Sequence, residues 1–321
     1  DRTVSNQPPA LLVVVDTEEE FDWSAPFDRG ATGVRHMRRI GRFQSLCEAW
    51  GVRPTYVVDY PIADQDDGVE ALAPLLRDGR ALIGAHLHPW VSPPHEEEVN
   101  ARNSYPGNLP RALERAKLAA LRDRIAAAFG QRPRIYKAGR YGIGPNTFGL
   151  LEELGFDIDL SPAPPFDYRA GGGPDFSRRG LVPEWSGQVL SVPGTGALVG
   201  WLPDRRLYAL ASRMQPLRLG GILARLGVVE RLSLSPEGQT LTEMTRLLRW
   251  LLARGQRLFV LSLHSPSLEP GHTPYVRSEA ELDAFLTTFD GFLRVFIEEC
   301  GGFPTDPIAV RDQFAARRAA A

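Results

Sequence analysis

Short aliphatic runs alternate along the chain with longer stretches in which apolar residues recur every three or four positions. That alternation predicts a parallel sheet whose strands are joined by helices packing one face onto it. Residues 11–15 are five consecutive aliphatic side chains, too short for a helix and suited to a strand buried on both faces. Further strands are expected at 54–58, 81–85, 135–138, 156–160, 189–192 and 257–263, with helices at 36–50, 68–78, 110–129, 145–154, 239–254 and 277–299. The pattern reads as an α/β barrel. Pro and Gly concentrate at 89–109 and 161–204, marking long loops, and the Leu/Arg-rich stretch 195–236 reads as a small helical insertion in one domain spanning 1–321.

Composition narrows the classes of function. A 43% hydrophobic and 24% charged chain is an ordinary globular protein with a sizeable core. Its net charge of −2, with acids and bases interspersed, gives no footprint for a phosphate backbone, so nucleic acid is not expected as a partner. The basic run at 35–39 reads as a solvated helix face. Two distant cysteines, Cys47 and Cys300, indicate neither a disulfide framework nor a cysteine zinc site. No apolar run reaches the roughly 18 residues of a membrane span. The first residues lack a signal-peptide layout, which favours the cytoplasm, with an exported mature form as the alternative. Oligomeric state is not legible.

Residues with catalytic chemistry directly follow the strand-like runs. Asp16 and Glu18 follow the first, His86 and His88 the third, Arg140 and Tyr141 the fourth, and His264 ends the last. In parallel barrels the carboxyl ends of the strands converge on one mouth, where active sites form. Side chains two apart in extended backbone point the same way, so Asp16 and Glu18 would face one cavity, where two carboxylates repel unless a cation lies between them. Glu19, Glu20 and Asp22 read as an acidic surface loop. His86 and His88 share the two-residue spacing, which suits chelation. Of the six histidines, His36, His95 and His272 read as surface or outlying groups. A carboxylate with two imidazoles leaves coordination positions for water and substrate. Such donors fit a divalent ion, zinc first, with cobalt, nickel, iron or manganese as alternatives. In Gly139-Arg140-Tyr141-Gly142, a guanidinium could orient a carboxylate and turn N–H groups could face an oxyanion; a purely structural Arg pair is the other reading.

Together, Val15-Asp16-Thr17-Glu18, Gly84-Ala85-His86-Leu87-His88-Pro89, Gly139-Arg140-Tyr141-Gly142 and Leu263-His264-Ser265 resemble the motifs of the polysaccharide deacetylase superfamily, with the NodB-homology fold, and are most similar to its WalW-type branch. The resemblance spans about 11 to 290 and implies a distorted (β/α)7-type barrel. It also implies a metal-dependent hydrolase that removes acetyl or other acyl groups from nitrogen on a carbohydrate. On that basis Asp16 is the general base, Glu18, His86 and His88 hold the metal, and Arg140 positions Asp16. Tyr141 lends a backbone N–H to the oxyanion, and His264 protonates the leaving amine. Two features depart from the common family form: the acids are separated by Thr17, and the histidines are two apart rather than four. The family's fourth motif has no clear match; Asp175, in Pro174-Asp175-Phe176, and Trp185 are substrate-binding candidates for it by position only, and Trp90 is a further aromatic for the sugar.

Three other functions fit parts of the pattern. One is a metal-dependent amidohydrolase acting on a small non-sugar amide. Another is a glycan-binding pseudoenzyme stacking sugars on Trp23, Trp90, Tyr141 and Trp185, which has no use for Asp16 and His264. A two-carboxylate glycosidase using Asp16 and Glu18 leaves the histidines unexplained.

Overall fold

The computed structural model describes residues 7–200 and 229–320. All seven expected strands are present: β1 (Ala10–Thr17), β2 (Thr55–Val58), β3 (Leu82–Leu87), β4 (Ile135–Ala138), β5 (Ile158–Asp159), β7 (Val189–Ser191) and β10 (Leu258–His264). They run parallel in the order β10-β1-β2-β3-β4-β5-β7. The sheet curls into a half-barrel, and its ladder stays open between β7 and β10. The polypeptide after β7 spans this seam: the Thr195 N–H donates to the Val260 carbonyl at 3.3 Å, and the Ser262 N–H donates to that of Leu234 at 3.1 Å.

Three short pairings escaped the pattern. β6 (Glu184–Ser186) lies antiparallel to β7, β11 (Phe303–Pro304) adds to β1, and β8 (Gly196–Val199) forms an antiparallel ribbon with β9 (Glu230–Ser233). The last pair replaces helix at both flanks of the expected insertion, whose middle lies outside the described residues. Helices α1 (Gly41–Ala49), α3 (Asp66–Arg77), α4 (Arg111–Phe129), α5 (Thr147–Leu154), α6 (Leu241–Leu252) and α7 (Glu279–Arg294) fall where periodicity puts them. Two were not foreseen: α2 (Tyr60–Asp64), capped by Asp59, and α8 (Pro307–Ala320). Among the described residues no helix is long and apolar enough to cross a membrane.

Strand alternation sorts the side chains. In β1, Leu11, Val13 and Val15 join the core beneath the helices, whereas Leu12 and Val14 join Val57, Ile135, Ile158 and Val260 in a second cluster inside the curl. Val310 of α8 belongs to that inner cluster, with Phe314 packed against it, so α8 plugs the amino end of the strands. The inner face is thus apolar at that end and polar at the other, where Asp16 stands opposite His264 in register and His86 opposite Lys137.

One buried acid outside the mouth makes stability depend on pH. Glu114 of α4 accepts the Thr147 hydroxyl of α5 at 2.6 Å, its other oxygen has no partner, and burial pushes its pKa up to about 7. Its folded pKa lies above the unfolded value, so this contribution to stability is complete at low pH and is lost as pH rises through about 7. Glu114→Gln should therefore flatten the decline in melting temperature between about pH 5 and 8. Parallel declines in the two proteins would exclude the assignment.

Candidate metal centre and catalytic groups

Asp16 and Glu18 leave the end of β1 on the same side, as alternation requires, and both are almost wholly buried. The Glu18 Oε2 atom lies 3.4 Å from His86 Nε2 and 3.3 Å from His88 Nε2, and the three donors are mutually within 4.8 Å. Donors arranged tetrahedrally at ~2.1 Å from one centre stand roughly 3.4 Å apart, so the Glu–His spacings fit a divalent ion. The far ring nitrogens are already committed. His86 Nδ1 faces the Lys137 carbonyl at 2.9 Å, and His88 Nδ1 faces Glu19 Oε2 at 2.7 Å, which turns both Nε2 atoms inward. Burial raises the Glu18 pKa, but His264, His86 and His88 outweigh it and hold the carboxyl below its usual range. His88 is lowered, burial being the largest cause.

Glu19, read from sequence as a surface acid, is fully buried. Besides His88 it accepts the Trp90 indole N–H at 2.8 Å, and its own N–H donates to Asp59 Oδ2 at 2.8 Å. Burial pushes Glu19 up to about 8, with the hydrogen bond to Asp59 opposing and Glu18's charge adding, and pushes Asp59 well above the carboxylate range, where Glu19's proximity adds to the shift. Trp90 is itself buried, stacked on His88 with centroids 4.3 Å apart, and its ring braces the imidazole instead of facing sugar. His36, expected near the surface, is also buried, between Glu20 Oε1 at 3.0 Å and Ser265 Oγ at 2.7 Å.

The cation on Asp16 is Lys137, not Arg140. Lys137 Nζ reaches both Asp16 oxygens, at 2.6 and 2.7 Å. Burial raises the Asp16 pKa, yet Lys137, His86 and His264 outweigh it and hold the group ionised below its usual range. Arg140 turns instead to the Ser104 hydroxyl at 2.5 Å and lies over the Tyr105 ring, 4.1 Å from its centroid. Arg140 and Tyr141 both have left-handed backbone, with φ of 53° and 59°, a conformation costly for residues bearing a Cβ and often found at functional sites. Gly139 precedes them because a Cβ there would stand 2.3 Å from the Leu87 carbonyl and 2.5 Å from His88 Cδ2.

His264 completes the mouth, with Nε2 3.7 Å from Asp16 Oδ2 and Nδ1 2.7 Å from Glu237 Oε2. Burial lowers its pKa, but Glu237, Glu18 and Asp16 prevail and carry it up to about 10, so the ring is protonated at neutral pH. Glu237 was missed in sequence because β9, the short strand it follows, left no pattern of its own. Lys137 had a signal: a lone charge inside an otherwise buried strand.

Asp16, Glu18, His86, His88, Arg140, Tyr141 and His264 line one cleft of about 340 Å³, with Trp23 and Phe27 on its outer wall. Trp185 and Asp175 do not line it. Trp185 packs on the inner cluster beside α8, under Arg318, at the opposite end of the strands. Asp175 caps the Ser177 N–H at 2.9 Å and pairs with Arg169 at 3.3 Å.

Two pH limits follow if Asp16 acts as a base and His264 as an acid. Lys137→Met should raise the Asp16 pKa and move the acidic limb of kcat/KM to higher pH, whereas Glu237→Gln should lower that of His264 and move the alkaline limb down, each by on the order of one unit. Unmoved limbs in both variants would dissociate these pairs from the chemistry.

No family model and no curated protein sequence matches the chain. Its fold does match solved structures. The Puue allantoinase superposes with a TM-score of 0.57 at 16% identity, over 97% of this chain and 95% of that one. A Mycobacterium smegmatis protein named as a polysaccharide deacetylase superposes with a TM-score of 0.52 at 14% identity, over 98% and 93%. A branching enzyme of the GH57 type from Pyrococcus horikoshii gives 0.53 at 11% identity, over 95% and 70%. The chain therefore has the curled α/β fold shared by these solved structures.

Proposed function

We propose that the chain is a metal-dependent amidohydrolase of the polysaccharide-deacetylase type, nearest the WalW-type branch by its motifs, that removes an acyl group from nitrogen on a carbohydrate. The observation that carries this reading is the placement of three inward donors, Glu18, His86 and His88, beside a lysine-bound carboxylate and a carboxylate-bound imidazolium in one cleft. When bound, a divalent ion, zinc first by donor type, supplies Lewis acidity to the amide carbonyl and makes a water more acidic.

The chain's own groups divide the proton work. Asp16, ionised and oriented by Lys137, accepts a proton from the attacking water. His264, protonated and fixed by Glu237, donates one to the departing nitrogen. The mouth lies between the aromatic faces of Trp23, Phe27, Tyr168 and Tyr275, which suits the apolar face of a sugar ring. A small non-sugar amide would use the same centre.

The test pairs elemental analysis and metal titration with acetate or amine release from N-acylated sugars and small amides. His86→Ala and His88→Ala should each weaken metal binding at least ~10-fold and abolish turnover. Asp16→Asn should keep the metal and lose about two to four orders of magnitude in rate, whereas Glu18→Gln should lose metal affinity and regain activity in excess metal. Full metal occupancy in both histidine variants would overturn the centre. An Asp16→Asn protein without metal, beside a Glu18→Gln protein that keeps it, would exchange the two roles.

A further inference from the structure

Next to the cleft, beyond Tyr141, Tyr168, His264 and Tyr275, lies a second chamber of about 220 Å³ that none of the three donors for the ion reaches. It fills the seam where the ladder is open, walled by Leu160, Pro162 and Pro164 on one side and by Leu234 and Val260 on the other, all buried. Ser233, Ser262 and Glu237 also face it.

We propose that this chamber receives the acyl portion of the substrate amide, and that the preferred acyl group is longer than acetyl and carries a neutral hydroxyl. The inference rests on the amidohydrolase reading above. Size is the first reason. A single water needs only ~10–15 Å³ of such space, so the chamber holds several heavy atoms beyond the methyl of an acetyl group. Direction is the second. The reacting carbon must sit near Asp16 and His264, where cleft and chamber meet. The larger cleft suits a bulky amine, which leaves the smaller chamber, with its apolar walls, to the acyl chain.

Charge is the third reason. The hydroxyls of Ser233 and Ser262 make no hydrogen bond among the described residues, so both are free to bind a polar group. Lys137 borders the chamber, but its ammonium is committed to Asp16, and Glu237 adds a carboxylate. The other lining cation, the His264 ring, is already bound by Glu237, so a terminal carboxylate would meet no uncommitted cation among the described lining residues, and a neutral hydroxyl is favoured. Hydrolysis breaks the amide C–N bond, forms a C–O bond to the oxygen of water, and releases a hydroxy acid and an amine.

The test uses the acetyl, butyryl, 3-hydroxybutyryl and succinyl amides of glucosamine. Turnover is measured on the zinc-loaded protein, and binding by calorimetry on the metal-free protein. The 3-hydroxybutyryl amide should exceed the acetyl amide on the order of tenfold in kcat/KM and bind more tightly, with succinyl weakest. Ala163→Phe, which fills the chamber, should reverse the acetyl to 3-hydroxybutyryl ratio. Ser262→Ala, which adds no bulk, should bring 3-hydroxybutyryl down towards butyryl. Equal turnover and binding across the series, or a preference for acetyl, would overturn the chamber and leave the amidohydrolase standing. Selective binding of the hydroxyacyl amide without hydrolysis of any amide would support the chamber and overturn the amidohydrolase.

Discussion

Four carboxyl groups, Asp16, Glu18, Glu19 and Asp59, are buried around a mouth in which Lys137 is the one ammonium bound to any of them. Charges of one sign cannot collect in a low-dielectric interior unless cations, hydrogen bonds or protons answer them. Each acid meets this constraint differently. Asp16 takes the lysine, burial pushes Glu19 to about 8 and Asp59 well above the carboxylate range, and Glu18 faces two imidazole nitrogens with the His264 charge nearby. The arrangement of the mouth, including the inward turn of both histidines and the protonation of His264, follows from this shortage of positive charge.

Much of the fold was legible because a strand buried on both faces leaves a dense aliphatic run, and a helix on a sheet leaves a periodic stripe. The same alternation made Asp16 with Glu18 and His86 with His88 readable as pairs sharing a face. Short pairings such as β6 and β11 left no such trace, since two or three residues carry no period. The ribbon of β8 and β9 escaped because Leu and Arg favour helix locally, while its pairing depends on a partner about thirty residues away.

The remaining differences arise where long-range contacts decide. Glu19 looks like a loop acid until Trp90 and His88 close over it. Arg140 follows a strand end as a positioning arginine would, yet its left-handed backbone aims it at Tyr105, and the shorter route to Asp16 belongs to Lys137. Trp185 sat at a plausible distance along the chain, but it follows β5 on a hairpin that returns to the amino end of the sheet, where α8 covers it.

The strand carrying Asp16 is the first of the sheet, and the strand carrying His264 is the last of its parallel set, yet the two are side by side in register. On the ribosome, Glu18, His86 and His88 emerge before β10, the strand that pairs with the free edge of β1. His264, the proposed proton donor, follows them in the sequence on the strand that closes the free edge of β1. Under the proposed roles, birth order separates the residues assigned to the ion from the residue assigned to proton donation.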